Sequence, residues 1–168
     1  GAGNLSSDEI SRKLDYYGAW IECYSSQKCN HIVLYCLSKH FEPLLTLLET
    51  IVKEPLFPED NLEIVRKNGK AHFEVNSKKV DILTQRHFEH ALWGENHPLG
   101  HIVETADYDN ITRDDLLIYH QRVYNSRNLA LFVSGDVSDV EISAVENVFG
   151  NGEWGGECKS QDVFVDCC

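Results

Sequence analysis

Basic residues and long apolar runs are both scarce in this sequence. Fifteen lysines and arginines stand against 27 aspartates and glutamates, which leaves a formal net charge of −12. Because phosphate binding needs a basic surface, nucleic acid and anionic membranes are disfavoured as partners. No apolar run approaches the roughly 20 residues of a membrane-spanning helix, and no signal-type segment opens the chain.

Methionine is absent from all 168 residues. The sequence therefore has no initiator residue, and we expect it to be a piece of a longer protein. The six cysteines form no C-x-x-C pair, so neither a zinc ribbon nor a thioredoxin-type redox pair is indicated. Reduced cysteines that fill small apolar spaces fit a reducing compartment, and we expect a cytoplasmic location.

The composition that remains is typical of one globular domain. Hydrophobic residues make up 42% and aromatic residues 10% of the chain. A chain of this length buries roughly two-thirds of the surface that it exposes when unfolded. We expect residues 1–150 to form a single domain. The glycine-rich stretch GNGEWGGECKSQD, which starts at Gly150, predicts that residues 151–168 form a linker or tail. This tail contains a short strand-like run, VFV.

Three segments have the composition of strands. They are AWIECYS at residues 19–25, HIVLYCLS from residue 31, and NLALFVSGD from residue 128. The second segment is apolar on both of its faces, so we expect it to be central in the sheet and covered.

Helical periodicity fills most of the remaining chain. A helix is predicted over residues 6–18, with a serine cap and Gly18 as its stop, and an amphipathic helix runs from Phe41 to Val52. Grouped helices between two early strands and one late strand predict an α+β fold, a two-layer, mainly antiparallel sheet with helices packed on one face. Three strands are few for such a sheet, so we expect it to be incomplete in this fragment. The other predicted helices cover 58–76, 79–92, 112–124 and 138–149.

The stretch RHFEH at residues 86–90 is the most concentrated group of metal-type side chains. Zinc motifs of the forms H-E-x-x-H and H-x-x-E-H place two histidines at i and i+4 on one helix face. Here His87 and His90 are only three residues apart, and Glu89 lies about 200° around the helix from His87. We therefore interpret this stretch as helix-surface side chains and not as an active site.

Several motifs, in their order and spacing, resemble the insulinase or pitrilysin-type zinc metallopeptidases. The resemblance extends from about Gly1 to Val137, and each motif alone is a soft pattern whereas the ordered set is specific. The matching stretches are GAGNLSSDEI, LDYYGAW, EPLFPEDNLEIVRKN, LWGENHPLGHIV and ITRDDLLIYHQRVYNSRNLALFVSGDV.

The resemblance implies where the family's zinc centre would lie. The family's H-x-x-E-H helix precedes the stretch that residues 1–10 resemble, so two ligands and the general base fall outside this chain. The third family ligand, a glutamate, falls at His72 when the helix is aligned from Leu62 and Glu63, with Glu74 two residues beyond. His72 and Glu74 are therefore the candidate metal positions. Because histidine departs from the family pattern, the site is expected to be decayed, with no zinc bound by this chain alone.

Other polar residues have plainer interpretations. Asn68, His72 and Asn76 recur at helical spacing, either as a solvated face or as a face towards a cleft shared with another domain. His97 and His101 bracket a turn and predict turn and packing roles. Arg122 and Tyr124 are similar to an arginine–tyrosine pair of the family, but that pair belongs to its second homologous half and is not assigned here.

Three functions are consistent with this sequence. The first is a non-catalytic subunit or half of an insulinase-like homologue, which encloses and binds a peptide substrate and pairs with a homologous half; the change to His72 favours it. The alternative is a fragment of an active zinc endopeptidase whose H-x-x-E-H lies upstream. The third is an unrelated α+β domain that uses cysteines or histidines for metal storage or redox chemistry. The incomplete sheet also predicts self-association through a sheet edge.

Overall fold

The computed structural model describes residues 1–26 and 29–156, so the predicted VFV run lies outside the described residues. The chain divides into two compact units. The first unit comprises Gly1–Tyr24, Asn30–Leu56 and the described part of Leu116–Cys168. The second comprises Phe57–Asp115 and the described part of Ser25–Cys29. Within the described helices, none has the length and apolarity that a membrane crossing requires.

Helix α1, Ser7–Tyr17, begins and ends where the sequence predicts. The Glu9 backbone N–H donates to the Ser6 hydroxyl at 3.2 Å, and the Ser6 backbone N–H donates to the Glu9 carboxylate at 2.8 Å. This reciprocal capping box satisfies two N–H groups that the helix cannot pair internally. Gly18 ends the helix with a φ of 62°, a left-handed conformation that glycine adopts without a steric penalty.

A hairpin follows, formed by β1, Trp20–Ser25, and β2, Asn30–Tyr35. Two stacked ring pairs fix its antiparallel register. The ring centroids of Trp20 and Tyr35 are 4.8 Å apart, and those of Tyr24 and His31 are 4.6 Å apart. Cross-strand aromatic pairs of this kind contribute roughly 0.2–1 kcal/mol each. The side chains therefore specify the pairing even where they are exposed.

The α+β class is confirmed, but two expectations about its sheet are wrong. The structure pairs β2 with β1 in a two-stranded sheet, so among the described residues β2 is an edge strand and is not central. Its Ile32 and Leu34 side chains are nevertheless packed against the core. The expected third strand is also absent, because residues 129–134 form no ladder with any described segment. A strand needs a partner for its N–H and C=O groups, and strand-like composition does not supply one.

Six further helices account for most of the remaining chain. Five of them confirm the predicted helices to within a few residues, whereas α5 is too short for its periodicity to be read. Its signal is a capping box, in which the Glu104 backbone N–H donates to Asp107 at 2.7 Å. The helices are α2 (Phe41–Lys53, entered through a 3₁₀ turn at Ser38–His40), α3 (Glu59–Asn76), α4 (Val80–Trp93), α5 (Thr105–Asn110), α6 (Arg113–Val123) and α7 (Asp139–Val145), which continues as a π-helical turn at Glu146–Gly150.

Helix α2 organises the core of the first unit by burying two of its sides. Leu44 packs in a cluster with Ala19 and Leu47, onto which α1 and β2 contribute further side chains. Leu45 packs in a second cluster with Val52 and Phe149. Burying a leucine fully stabilises a fold by roughly 1.5–3 kcal/mol relative to exposure. The stripe predicted from Phe41 to Val52 is thus the centre of this unit.

In the second unit, α3 and α5 lie close together. The rings of Phe73 and Tyr108 have centroids 5.6 Å apart, and Lys70 pairs with Asp109 at 2.7 Å. A Cβ at Gly69 would lie 2.9 Å from the Tyr108 ring. The missing side chain at Gly69 therefore allows Tyr108 to approach α3. The ion pair is partly exposed and adds little to stability.

Three helices begin with a hydroxyl and a carboxylate three residues apart, and this arrangement predicts a pH dependence. Hydrogen bonds from the hydroxyl residue lower each carboxylate pKa from the ordinary values of 4.5 for glutamate and 3.8 for aspartate. A lowered folded-state pKa gives stability that is fully present above the unfolded pKa and is lost as pH falls through the folded pKa. The pairs are Ser6–Glu9, Thr112–Asp115 and Ser138–Glu141.

We expect the variant E9Q/D115N/E141Q, which cannot titrate at these caps, to be less stable than the wild type at neutral pH. The difference should shrink as pH falls below the ordinary carboxylate values, since the wild-type caps then become protonated as well. Urea denaturation followed by circular dichroism between about pH 7 and pH 3 measures this. A difference that stays constant over the whole range would contradict it.

Candidate functional site

The two candidate metal positions, His72 and Glu74, both lie exposed on α3. They are two residues apart, so their side chains point about 200° away from each other around the helix. Among residues 1–26 and 29–156, no group of three or more His, Cys, Asp or Glu side chains could hold a metal ion. Catalytic zinc usually takes three protein ligands, so the described residues do not fit a zinc centre by themselves. The assignment of position 72 to the family ligand stays a prediction.

The face of α3 that carries His72 also exposes apolar side chains. Ile64, Asn68, His72 and Val75 are all exposed and follow one another at spacings of three or four residues. That spacing places them along one side of the helix. An apolar surface on a soluble protein commonly marks a site where another body packs. This favours a face covered by another part of the protein over a merely solvated polar stripe.

The stretch RHFEH lies on α4 and serves packing within the second unit. His90 Nδ1 lies 2.8 Å from the Gly100 carbonyl oxygen, which can only accept, so Nδ1 carries the proton. The Arg86 guanidinium lies over the Phe73 ring at 4.6 Å from its centroid. His87 is exposed. Arg86 and His90 therefore contact other parts of the second unit.

The turn after α4 uses His97 as its centre. The His97 ring stacks on Trp93 with centroids 4.8 Å apart, and its Nδ1 accepts the Leu99 backbone N–H at 3.1 Å. The Gly100 N–H donates to the His97 carbonyl at 2.8 Å. A Cβ at Gly100 would lie 2.1 Å from the Gly94 carbonyl oxygen, so only glycine fits there. The predicted turn and packing role of His97 is confirmed.

A group of polar side chains, of which Asn30 and Tyr124 are half-buried and Cys23 and Tyr119 exposed, involves the hairpin in the first unit. The Asn30 side-chain amide donates to the Tyr119 hydroxyl at 2.8 Å. Burial raises the pKa of Tyr124, and Tyr119 and Cys23 raise it further. Burial also raises the pKa of the Cys23 thiol. A thiol with a raised pKa is a poorer nucleophile at neutral pH than an ordinary cysteine, so the contacts of this group are structural ones, hydrogen bonding and ring packing.

His120 has a role that the sequence did not reveal. Its Nε2 lies 2.8 Å from the Val52 carbonyl oxygen near the end of α2, so Nε2 carries the proton and donates. The same ring stacks on Tyr124 with centroids 4.8 Å apart. Arg122 lies over the Tyr119 ring at 6.0 Å from its centroid. Arg122 and Tyr124 thus contact separate neighbouring rings. The contact between His120 and Val52 crosses 68 positions, and no local motif signals it.

We expect the isolated chain to bind no zinc tightly, because the described residues supply too few ligands in one place. Elemental analysis after exhaustive dialysis of the reduced protein against zinc-containing and then zinc-free buffer measures this. The variants H72A/E74A and H87A/H90A locate any metal that remains. Stoichiometric zinc that survives dialysis in the wild type and is lost in either variant would contradict the expectation.

Comparisons with known proteins find similarity to peptidases and their homologues. The family model of the peptidase M16 inactive domain matches residues 110–166. The mitochondrial-processing peptidase subunit alpha-1 of Dictyostelium discoideum is 26% identical over 152 residues, which cover 88% of this chain and 23% of that protein.

Two solved structures share the fold. The peptidase M16 inactive domain from Pseudomonas fluorescens matches 95% of this chain and 40% of its own, with a TM-score of 0.80 and 23% identity. A protease from Helicobacter pylori matches 98% of this chain and 40% of its own, with a TM-score of 0.78 and 16% identity. The chain thus spans less than half the length of each of these relatives. The resemblance to the insulinase-like family that the motifs indicated is confirmed.

Proposed function

We propose that this insulinase-family chain is part of a non-catalytic half or subunit of a peptidase homologue, and that the assembled protein encloses and binds peptides. The observation that carries the proposal is the match of residues 110–166 to an inactive domain of the family. The chain covers 23% of its named relative and 40% of each of the two structures above. The proposal therefore concerns the longer assembly to which the chain contributes.

The chemistry of the described residues supports a non-catalytic role. Zinc peptidases hydrolyse peptides with a metal-bound water, which the metal makes acidic enough to attack at neutral pH. Such a site needs about three protein ligands, of which the resemblance places two upstream of this chain and the third, a glutamate in the family, at His72. The change of that ligand to histidine is what supports a non-catalytic role. A family member without the ligands can still hold a peptide through backbone hydrogen bonds and apolar pockets.

The exposed apolar side chains of the second unit support pairing with a homologous half. Such side chains stand along α3 and α4, where solvation of isolated apolar groups is unfavourable. Six such side chains on these two helices are more than half exposed, and exposed apolar surface is where partners commonly pack. We propose that a homologous half or subunit covers part of this surface. The exposed side chains are Ile64, Val65, Val75, Val80, Phe88 and Leu92.

Peptide binding and peptide cleavage separate this proposal from the active-peptidase alternative. A quenched fluorescent peptide is given to the protein in its longest native form, with zinc supplied. Binding, measured by fluorescence anisotropy, is expected without a rise in cleavage fluorescence. Cleavage that a chelator abolishes and added zinc restores would instead support an active zinc endopeptidase. Failure of both readouts would contradict peptide binding itself.

We also propose that the chain associates with a further strand through residues 129–134 and the unpaired edges of the β1–β2 hairpin. The segment at residues 129–134 is strand-like in composition, Leu131 packs in the core beside Phe149, and Phe132 is 92% exposed. Such a segment and the free edges of the hairpin have N–H and C=O groups that a further strand can pair. A homologous half would supply that strand in the assembly, and a second copy can supply it when the chain is alone.

We expect the purified chain to self-associate in sedimentation across a dilution series under reducing conditions, and F132E to sediment as a monomer at the same concentrations. Val140 on α7 is 73% exposed and lies outside the segment, so V140E is the matched control that should associate like the wild type. A wild type that is monomeric throughout, or equal effects of the two variants, would contradict association through residues 129–134.

A reducing compartment, and specifically the cytoplasm, remains our proposed location. Cys23, Cys29 and Cys36 are unpaired thiols in the described residues, as is usual where thiols are kept reduced. Fluorescence microscopy of the full-length protein fused to a reporter tests this location.

A further inference from the structure

The sequence contains two asparagine–glycine pairs, and the structure places them in opposite backbone environments. One is Asn68–Gly69 in the middle of α3, and the other is Asn151–Gly152 in the loop after the π-helical turn. An asparagine followed by glycine is especially prone to lose its side-chain amide, because glycine has no Cβ to hinder attack by its own backbone nitrogen. One chain therefore presents the same reactive pair in two settings.

The Asn151–Gly152 peptide group lies in open surroundings. Both residues are exposed, and an added Cβ at Gly152 would meet no heavy atom within 4 Å. Gly152 has a φ of 82°, and its N–H makes no backbone hydrogen bond to another described residue. Attack on the side chain requires the Gly152 nitrogen to swing towards the Asn151 carbonyl carbon. The space around the loop permits that rotation.

The Asn68–Gly69 peptide group is held on both sides. It lies inside an 18-residue helix, where each N–H donates to the carbonyl four residues earlier. Gly69 also packs against the Tyr108 ring, which lies 2.9 Å from the position that a Cβ would take. The Asn68 side chain is exposed like that of Asn151, so the difference between the pairs is in the backbone. Attack at Asn68 therefore requires α3 to open locally, which costs free energy.

We propose that Asn151 is a site of spontaneous deamidation, and that its isoaspartyl product releases residues 152–156 from the turn after α6. The Gly152 nitrogen loses its proton to solvent base and bonds to the side-chain carbonyl carbon of Asn151. The Asn151 Nδ2 takes a proton from solvent and leaves as ammonia. Water then opens the resulting succinimide at either carbonyl, which gives aspartate or isoaspartate. The reaction consumes only water, and it is independent of the proposed function.

Isoaspartate runs the backbone through the former side chain, so it adds one backbone atom between two anchored points. Phe149 is 7% exposed in the core, and the Trp154 ring packs on it with centroids 6.3 Å apart. The Trp154 backbone N–H donates to the Ser126 hydroxyl at 3.3 Å, and its carbonyl accepts the Ser126 N–H at 3.0 Å. The reaction also removes the bond in which Asn151 Nδ2 donates to Asn147 Oδ1 at 3.1 Å. The added atom therefore shifts Trp154 out of register with Ser126.

Incubation of the purified protein in warm, mildly alkaline buffer, followed by peptide mapping in a mass spectrometer, tests the site. Labelling with an isoaspartyl methyltransferase distinguishes isoaspartate from aspartate. In the native protein we expect Asn151 to deamidate at least about tenfold faster than Asn68. In urea, where α3 is unfolded, the two rates should become comparable. Equal rates in the native protein, or a difference that persists unchanged in urea, would overturn the assignment of the site to the structure.

Hydrogen exchange at the Ser126 and Gly156 N–H groups, which donate across the contact to Trp154 and Gln121, tests the release. The isoaspartyl form, separated by chromatography, should lose protection at both groups. N151D carries the same charge on an ordinary backbone and should keep it. N151Q closes a ring far more slowly and should stay protected after the same incubation. Retained protection in the isoaspartyl form, or an equal loss in N151D, would overturn release by the added backbone atom.

Discussion

Replacing Leu44 with alanine is expected to lower the free energy of unfolding of the first unit by about 3 kcal/mol. Leu44 is 1% exposed and is surrounded by side chains from α1, the hairpin and its own helix. Alanine removes the apolar contacts and leaves a cavity that close-packed neighbours fill only in part. Urea denaturation followed by circular dichroism measures the loss as a lower midpoint at an unchanged slope.

Two further variants make this result specific. Leu45 is 2% exposed and packs in the second cluster, so L45A should cost a similar amount and show that α2 is buried on two sides. Leu37 is 56% exposed, so L37A should change the free energy of unfolding by less than about 0.5 kcal/mol. If L44A were no more harmful than L37A, the core assignment of α2 would be wrong.

The helices were predictable because their signals are local. The spacing of Leu44, Leu45 and Val52 specifies an amphipathic helix, and the serine caps specify where α1 and α7 begin. Each signal lies within a few residues of the helix that it describes. Of the α-helices described, only α5 was not predicted, because six residues are too few for a periodic pattern.

The sheet could not be predicted in the same way, because a strand depends on a partner that lies elsewhere in the chain or in another chain. Residues 129–134 have strand composition, and Leu131 packs as an inward-facing residue would, yet no described segment pairs with them. Likewise β2 is apolar on both faces, but within the described residues its only neighbouring strand is β1. The same dependence on distant partners applies to His120, whose contact with Val52 has no local signal.

The assignment of His72 as a candidate metal position has no local signal in the sequence at all. No pattern in the chain alone singles out His72, since histidines on exposed helix faces are common. Only alignment with the family gave it a role, and the ligands that would complete a zinc site fall outside this chain in that alignment. The structure adds that Ile64 and Val75 are exposed on the same side of α3 as His72. The face that carries His72 is therefore mixed, with apolar and polar side chains both exposed.

Residues 152–156 pack closely against the turn after α6, and a side chain added there is expected to lower the free energy of unfolding substantially. The Ser126 N–H donates to the Trp154 carbonyl at 3.0 Å, and the Gly156 N–H donates to the Gln121 carbonyl at 3.2 Å. Asn125, buried in the same turn, is 2% exposed. A Cβ at Gly155 would lie 2.4 Å from the Tyr124 carbonyl oxygen and 2.7 Å from the Asn125 Cα. Atoms of Tyr124 and Asn125 therefore leave no room for a side chain at Gly155.

G155A is therefore expected to lower the free energy of unfolding by about 3 kcal/mol or to detach the segment from the turn. Gly152 provides a matched control, because it has the same φ of 82° but no heavy atom within 4 Å of an added Cβ. G152A should show only the cost of a left-handed alanine, about 1–2 kcal/mol. The difference between the two variants isolates the steric clash, since the backbone strain is common to both. Urea denaturation gives both free energies, and near-ultraviolet circular dichroism reports whether Trp154 keeps its packing against Phe149. Equal losses in the two variants would mean that residues 152–156 do not pack against the α6 turn in solution.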